Sequence, residues 1–297
     1  MILKSILFLV GSLAITNAYA QETYNIQVGL HNESSSNDNN NDKTSTTFSG
    51  TYYFKNIVID NTHPFMELDF LQHASKITLN YENAYVHIPS LSEETINPIQ
   101  LDGTFYIDNF IFGVNNQTWR KAFSLKSNTA LNYGFESSTT GFNVGYFVTP
   151  TTAISFVNSK LKTKYKRSSI SLPDLNDSTN TTNSVNSHTV MSFGGPRFLV
   201  VDLSYGQIKS TQTKSETNRE YSAKFRYYPE VKYFFEGGYT SNSGDKAVDK
   251  GKTQLFSAGY SFTPRFAVML STKEFSGDVS AEKSSSTSTI LTAGYRF

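Results

Sequence analysis

The chain has 297 residues and no cysteine, which excludes disulfide frameworks, thiolate metal sites and cysteine nucleophiles. Charged residues make up only 17% of it and its formal net charge is +1, a balance that gives no support to nucleic-acid binding. Beyond the N-terminus no apolar run approaches the ~18 residues that a membrane-spanning helix needs, so a multispanning helical protein is excluded too. A polar chain with 14% aromatic residues is expected to form β structure rather than remain disordered.

Residues 1–20 have the pattern of a cleaved secretory signal peptide. Lys4 supplies a positive charge, Ile6–Ile15 form a short apolar core, and Ala18–Ala20 provide a small-x-small cleavage site. A permanent membrane anchor is the weaker interpretation, because the apolar stretch is too short to span a membrane. Lys4 is the only charged residue removed, so the mature domain, residues 21–297, has 25 basic and 25 acidic residues. We therefore expect an exported protein.

Strand-like segments follow one another from Tyr24 to the C-terminus. Apolar and polar residues alternate with period two, which is typical of strands that face two different environments. Short turns rich in Pro, Gly and Asn join these strands in pairs. In chain order the turns lie at Asp108-Asn109, Pro150-Thr151, Gly194-Gly195-Pro196, Pro229-Glu230 and Thr263-Pro264-Arg265.

The remaining connections are long and polar. They cover Asn32–Ser45, Lys162–Ser187, Lys209–Asn218, Thr240–Lys252 and Gly277–Ser286. An alternation of short turns with long loops is typical of bacterial outer-membrane barrels, in which a closed sheet pairs every backbone group within the protein. Aromatic residues beside the short turns, such as Phe262 and Phe266, fit an interfacial girdle. We therefore predict an all-β, transmembrane antiparallel up-and-down β-barrel with short periplasmic turns and long outer loops.

The alternation predicts about 14 strands, within roughly 12 to 16, and an even number is typical of bacterial barrels. Two regions leave the count open. Phe65–Val86 is either one long bulged strand or a pair of strands, because its apolar phase shifts after Phe70. Asn128–Phe135 belongs either to a loop or to a strand of its own.

The last ten residues form a predicted strand that ends in phenylalanine. Leu291, Ala293, Tyr295 and Phe297 share one face of it. This strand resembles the terminal β-signal by which outer-membrane barrels are recognised for assembly. The resemblance implies that Tyr295 and Phe297 are the assembly signal and that the barrel-assembly machinery is a partner.

A second stretch of the sequence carries a more specific resemblance than the terminal strand does. Tyr52-Tyr53-Phe54, then the run Pro64–Leu71 and then Ala74-Ser75, is similar to the second-to-third strand hairpin of a family of proteobacterial outer-membrane porins, which are general-porin-like β-barrels. The repeated Gly-Tyr-x-x-Thr-Pro unit, first seen at Gly145–Pro150, is of the same kind. Asp69 departs from the family, in which small residues are more usual there. The resemblance implies an outer-membrane pore and a homotrimer, and it says little about the solute.

Charged residues on the strand face opposite the apolar one would line the lumen. These candidates are Glu67, Asp69, Asp102, Asp202, Lys224, Arg226, Glu236, Lys273 and Arg296. The acidic members come mostly from the earlier strands and the basic members from the later ones. This order predicts opposed acidic and basic arcs of the wall, whose transverse field would favour polar solutes. The alternative is that each charge is solvated in a wide lumen or paired with a neighbour.

Two segments are candidates for a loop that folds inward and narrows a pore. Gln117–Ser127 mixes aromatic and basic side chains, namely Trp119, Arg120 and Lys121. Glu82–Gln100 is the second candidate. The alternative for either segment is an exposed loop or docking surface.

Catalysis finds little support in the sequence. His188 and Ser192 lie four residues apart on one strand, which separates them by ~13 Å and prevents contact. Neither a metal-ligand set of the H-E-x-x-H type nor a nucleotide-binding motif is present. We therefore expect no enzyme activity, no cofactor and no metal.

The expected function is that of a porin in the bacterial outer membrane, a water-filled channel for passive diffusion of small hydrophilic solutes and ions. Outer-membrane lipid and lipopolysaccharide would surround it. The alternative is a non-conducting barrel that presents its loops for adhesion or structural contact. Bulky inward residues would block the lumen of such a barrel, and the candidates are Tyr106, Phe147, Phe198 and Phe234.

Overall fold

A computed structural model describes residues 22–37, 42–87, 94–125, 128–167, 177–210, 216–244, 249–279 and 282–297. The predicted signal peptide, residues 1–20, lies outside these ranges, and so does the middle of the candidate loop Glu82–Gln100. No helix in the described part of the chain is long and apolar enough to cross a membrane.

One antiparallel sheet of fifteen strand segments contains nearly all of the described residues. The segments are β1 (Thr23–Asn37), β2 (Asp42–Val58), β3 (Lys76–His87), β4 (Glu94–Ile96), β5 (Ile99–Ile107), β6 (Phe110–Leu125), β7 (Asn128–Thr149), β8 (Thr152–Arg167), β9 (Ser178–Ser192), β10 (Phe198–Ser210), β11 (Glu216–Glu230), β12 (Tyr233–Gly244), β13 (Asp249–Ser261), β14 (Phe266–Val279) and β15 (Glu282–Arg296). Because β4 and β5 both pair with β3, they share one position in the sheet. The barrel therefore has fourteen strands.

The sheet closes on itself through its first and last strands. β1 pairs with β2 on one side and with β15 on the other, where Val28 lies opposite Tyr295 and Gly29 opposite Gly294. Among the other strands, each long strand pairs with its neighbours in the chain, and β5 follows β3 in the sheet by pairing with β3 and β6. This is an up-and-down barrel, as predicted, and it is closed by the pairing of β1 with β15.

Alternation along each strand separates an outer apolar face from the lumen. In β13 the side chain of Phe256 is 59% exposed on the outside, whereas its neighbour Ser257 is 8% exposed on the inside. In β8 Ile154 and Phe156 are exposed on the outside and Ala153 is buried on the inside. Residues of the outer set form the apolar band that contacts lipid in barrels of this class.

Tight turns join the strands at one end of the barrel, where β1 begins and β15 ends. The β5–β6 turn is closed by Asp108, whose φ of 52° is one that Asp tolerates better than most residues. The β9–β10 turn uses Gly194 and Gly195, with φ of 84° and 62°. The backbone oxygen of Phe297 accepts a hydrogen bond of 3.0 Å from the Asn25 N–H, which joins the start of β1 to the C-terminus.

Three predictions about local structure are settled by the strand boundaries. Asn128–Phe135 belongs to β7 and forms neither a loop nor a separate strand. As far as Leu125, the candidate segment Gln117–Ser127 is neither an inward loop nor an exposed one, because β6 continues to Leu125 and is paired with β7 along this stretch. Residues 126 and 127 lie outside the described ranges. The prediction for Phe65–Val86 is wrong, since the sheet resumes only at Lys76 and the preceding residues leave it.

Candidate functional site

The β2–β3 connection is the exception among the short-turn connections, and we call its residues 59–75 the plug. It contains a single turn of helix, α1 (Leu68–Leu71). Its side chains contact inward-facing residues from strands around the whole circumference: Phe147 on β7, His188 on β9, Arg226 on β11 and Arg296 on β15. A segment that reaches all of these strands lies across the lumen.

Apolar contacts hold one side of the plug against the wall. Phe65 and Leu68 are each 1% exposed, and Ala74 is fully buried. The wall residues of this apolar cluster are Tyr24, Tyr53, Ile57, Val190, Phe198, Val200, Tyr228, Val231 and Phe234. Burial of a side chain the size of Phe or Leu contributes roughly 1.5–3 kcal/mol, so the two plug side chains stabilise the inserted position substantially.

The wall is shaped to admit this cluster. Phe234 on β12 faces Gly259 on β13, and a Cβ at that glycine would collide with the Phe234 ring. On the opposite side, Phe70 of the plug packs against Phe147 and His188, with ring centroids 5.0 and 4.2 Å apart. Alternation predicts that the inward aromatic residues of the wall face an open lumen. In the structure they pack on the plug instead.

Glu67 is the central polar residue of the plug and is 4% exposed. Its Oε1 accepts hydrogen bonds from Arg226 Nη1 at 2.5 Å and from the Tyr228 hydroxyl at 2.9 Å. Its Oε2 lies 3.5 Å from His188 Nε2. Burial opposes ionisation of this carboxyl, but the contacts with His188 and the charge of Arg226 outweigh burial and hold the pKa of Glu67 below its usual range.

A chain of charged wall residues continues from this contact. Arg226 also donates to Glu236, from Nε at 2.7 Å and with Nη2 at 2.6 Å from the same carboxylate oxygen. Lys224 lies 3.3 Å from Asp202 and 3.7 Å from Glu236. His188 Nδ1 lies 2.5 Å from Asp202 Oδ1, so one imidazole contacts a plug carboxylate and a wall carboxylate. With His188 protonated, the network has a net charge of zero, because it contains three carboxylates (Glu67, Asp202 and Glu236) and three cations (His188, Lys224 and Arg226).

Other polar contacts tether the two ends of the plug. Gln72 binds the Val58 backbone twice, accepting from its N–H at 2.9 Å and donating to its oxygen at 2.6 Å. The Tyr106 N–H donates to Ser75 Oγ at 2.9 Å, and Asp69 forms an ion pair with Lys76. The ends are thus attached to β2, β3 and β5.

A cavity of about 510 Å³ lies above the plug inside the barrel. Phe70 and Tyr106 contribute apolar surface to it, and Asn143, Asp202 and Lys224 contribute polar groups. Among the described residues, the lumen therefore has a polar cavity above the plug and is filled at the plug by apolar packing and the contacts of Glu67.

In the structure, the charged residues that alternation assigned to the lumen are placed differently from the prediction. Glu67 and Asp69 lie in the plug and not on a strand, whereas Asp202, Lys224, Arg226 and Glu236 face inward and join Glu67 in one network. The predicted opposed arcs are wrong for this part of the wall. Oppositely charged residues sit on adjacent strands β10, β11 and β12, where each buried charge has a partner within ion-pair distance.

Three further candidates for the lumen lie apart from this network. Asp102 accepts a hydrogen bond of 2.7 Å from Gln100. Lys273 lies on the same face of β14 as Ser271. Arg296 donates to the Pro264 oxygen at 3.0 Å and lies 3.5 Å from Met66 Sδ, so it holds the far side of the plug.

The remaining candidates lie on the wall. Trp119, Arg120 and Lys121 belong to β6, and the Arg120 side chain is 79% exposed and bound to Glu136 at 3.1 Å. The rings of Tyr295 and Phe297 pack edge to face, with centroids 4.8 Å apart, beside the barrel seam. Their role in assembly stays a prediction.

Sequence reasoning missed the plug as a structure and missed His188 and Tyr228 as its contacts. The phase shift after Phe70 was the available signal, since a segment that leaves the sheet shifts the phase as a bulge does. In the described part of the chain, no group of three His, Cys, Asp or Glu side chains is arranged to hold a metal ion.

No protein-family model and no curated protein matches the chain. Among solved structures, the outer membrane protein Omp33 of Acinetobacter baumannii is 16% identical with a TM-score of 0.56, over 94% of this chain and 100% of that one. CdiB from Acinetobacter baumannii is 8% identical with a TM-score of 0.58, and the match covers 94% of this chain but only 61% of CdiB. A ΔS2 mutant of TodX, a monoaromatic hydrocarbon channel, is 9% identical with a TM-score of 0.50, over 94% of this chain and 91% of TodX. At such low identities the likeness establishes the fold alone, that of outer-membrane β-barrel proteins.

Proposed function

We propose that the protein is a gated channel of the bacterial outer membrane, which conducts small hydrophilic solutes and ions when the plug leaves the lumen. The observation that carries this proposal is a polar lumen closed by the plug. The chain joins the plug to the wall only at its two ends, and its other contacts with the wall are non-covalent. The outer-membrane barrel fold, shared with channels such as TodX, supports a channel role in general.

The chemistry of the plug supports reversible closure. Glu67 is almost fully buried, and its contacts with Arg226 and Tyr228 fix one position of the plug. A buried ion pair adds little stability beyond that of well-packed apolar residues, but losing one partner is costly. A plug held by such a pair can be released by a change in charge, which a purely apolar plug would not sense.

The second candidate is the non-conducting barrel that presents its outer loops. The buried side chains Phe65 and Leu68 favour it, because they hold the plug in place by packing alone. The two candidates differ in one respect, namely whether the barrel conducts once the plug is absent.

The test replaces residues 60–74 by a flexible linker of about eight Gly and Ser residues, long enough to join the two strand ends. Single-channel recording in planar bilayers should give stable, large conductance steps for this variant and only brief openings for the parent chain. Swelling of liposomes in sugars of increasing size would then report the solute limit. A correctly folded plug-less barrel that never conducts would overturn the channel proposal and leave the loop-presenting barrel.

A further inference from the structure

Three lysines, Lys160, Lys162 and Lys164, form a row on the outer face of β8. Their side chains are exposed and share the parity of Ile154 and Phe156, which are 44% and 42% exposed on the lipid-facing side. The register of β8 with β9 runs without a bulge from Thr152 to Thr163, and the register with β7 is equally regular over the lysines. Alternation therefore places all three ammonium groups outside the barrel.

The position of the row along the strand sets its depth in the membrane. Lys160 lies eight residues beyond Thr152, where β8 starts at the short-turn end. At ~3.3 Å per residue and a tilt of ~40°, this corresponds to a height of ~20 Å, near the upper edge of an apolar band of ~25 Å. Lys162 and Lys164 lie higher still. The row thus reaches the level of the lipid headgroups in the outer leaflet.

The neighbouring strands place hydroxyl groups beside these lysines. Lys160 is flanked in register by Thr140 on β7 and Thr181 on β9, and Lys162 by Ser138. Among the residues that the structure describes, none of the three lysines lies within 4 Å of a carboxylate. A row of cations at a lipid interface attracts anionic headgroups.

Within the described part of the wall, a single carboxylate faces the row. Glu136 on β7 lies opposite Lys164, and it also receives the Arg120 guanidinium from β6 at 3.1 Å. Arg120 offsets the charge of Glu136, so the patch formed by these five charged residues remains strongly positive. Alternate residues of a strand are ~6.6 Å apart, a spacing at which neighbouring lysines can share one phosphate or bind two.

We propose that the lysine row on β8 binds the phosphate groups of lipid A, the anchor of lipopolysaccharide in the outer leaflet. Ammonium groups bind phosphate oxygens as point charges, and the flanking Thr and Ser hydroxyls donate further hydrogen bonds to the same oxygens. The inference depends on the orientation of the barrel in the outer membrane and not on whether the lumen conducts.

The test measures binding of diphosphoryl lipid A to the refolded mature protein in a neutral detergent, in the presence of EDTA so that no divalent cation bridges phosphate to a carboxylate. The triple variant Lys160→Gln/Lys162→Gln/Lys164→Gln should bind about 100-fold more weakly, or about five-fold for each lysine, and should lose one lipid A in native mass spectra. A triple Lys→Arg variant should retain the affinity, because it keeps the charge.

The matched control removes exposed basic residues at the opposite end of the barrel, with Arg197→Gln/Lys232→Gln. Its affinity should equal that of the parent chain, and monophosphoryl lipid A should bind the parent chain more weakly than the diphosphoryl form. Unchanged affinity in the triple glutamine variant would overturn the proposal. So would an equal loss in the control variant, or equal binding of phosphatidylglycerol, because either result would indicate general attraction of anionic lipid rather than a site.

Discussion

Glu67 and Arg226 lie 159 positions apart in the chain, yet Arg226 Nη1 is 2.5 Å from Glu67 Oε1. The contact joins the plug to β11, on the side of the lumen away from the strands that carry the plug. Because Glu67 is almost fully buried, the ion pair exists only while the plug is inserted. It is therefore the contact at which closure of the lumen can be tested most directly.

Replacing Glu67 with Gln should open the channel more often. The substitution preserves the shape of the side chain but removes the charge that faces Arg226, which costs about 2 kcal/mol or about 30-fold in the ratio of plugged to open states. The open probability in planar bilayers measures this ratio. The control is Asp60→Asn, because Asp60 is a partly exposed plug carboxylate whose partners Thr62 and His63 lie in the plug itself. Equal opening by both variants would contradict the role given to Glu67.

Acid should also release the plug. The pKa of Glu67 lies below its ordinary value of 4.5, so its stabilisation is fully present above that pH and is lost as pH falls through the lowered value. Open probability should rise between about pH 4.5 and more acidic values, and Glu67→Gln should flatten this rise. Superimposable pH curves for the parent chain and Glu67→Gln would rule out Glu67 as the titrating group.

Truncating Phe65 should loosen the plug without unfolding the barrel. Phe65→Ala removes a buried ring at a cost of about 3–5 kcal/mol, whereas the sheet hydrogen bonds that hold the barrel are untouched. Chymotrypsin should cleave the plug at Phe70 in this variant and spare it in the parent chain. Phe54→Ala is the control, because this ring is 53% exposed on the lipid-facing side. Cleavage in the control alone would refute the packing described for Phe65.

Neutralising a wall cation should change ion selectivity in the plug-less barrel. Lys224→Gln removes an inward positive charge beside the cavity, so the reversal potential in a salt gradient should shift towards cation selectivity. Arg120→Gln should leave the reversal potential unchanged, since its side chain points outward and its exposed ion pair with Glu136 contributes only about 0–1 kcal/mol. A shift in the Arg120 variant of the same size would contradict the outward placement.

The barrel could be predicted from the amino-acid sequence, because strand alternation and turn chemistry are local properties. Phe256 and Tyr260 alternate with small residues over one strand, and Pro264 marks the turn that follows it, so β13 and its connection to β14 could be predicted residue by residue. Period-two alternation also separated the two faces of the wall, since Lys224, Arg226 and Glu236 face inward as their phase indicates.

The segment that fills the lumen could be identified only from contacts between residues far apart in the chain. Met66, Leu68 and Phe70 alternate as they would in a strand, and nothing local distinguishes a strand from a segment that folds back into the barrel. The pairing of Glu67 with Arg226 and Tyr228 joins positions far apart in the chain, and it depends on closure of fourteen strands into a ring of one size. A ring of fourteen strands has a diameter at which the wall contacts the plug on all sides. This long-range geometry is the physical reason why the closed lumen could not be predicted from the sequence.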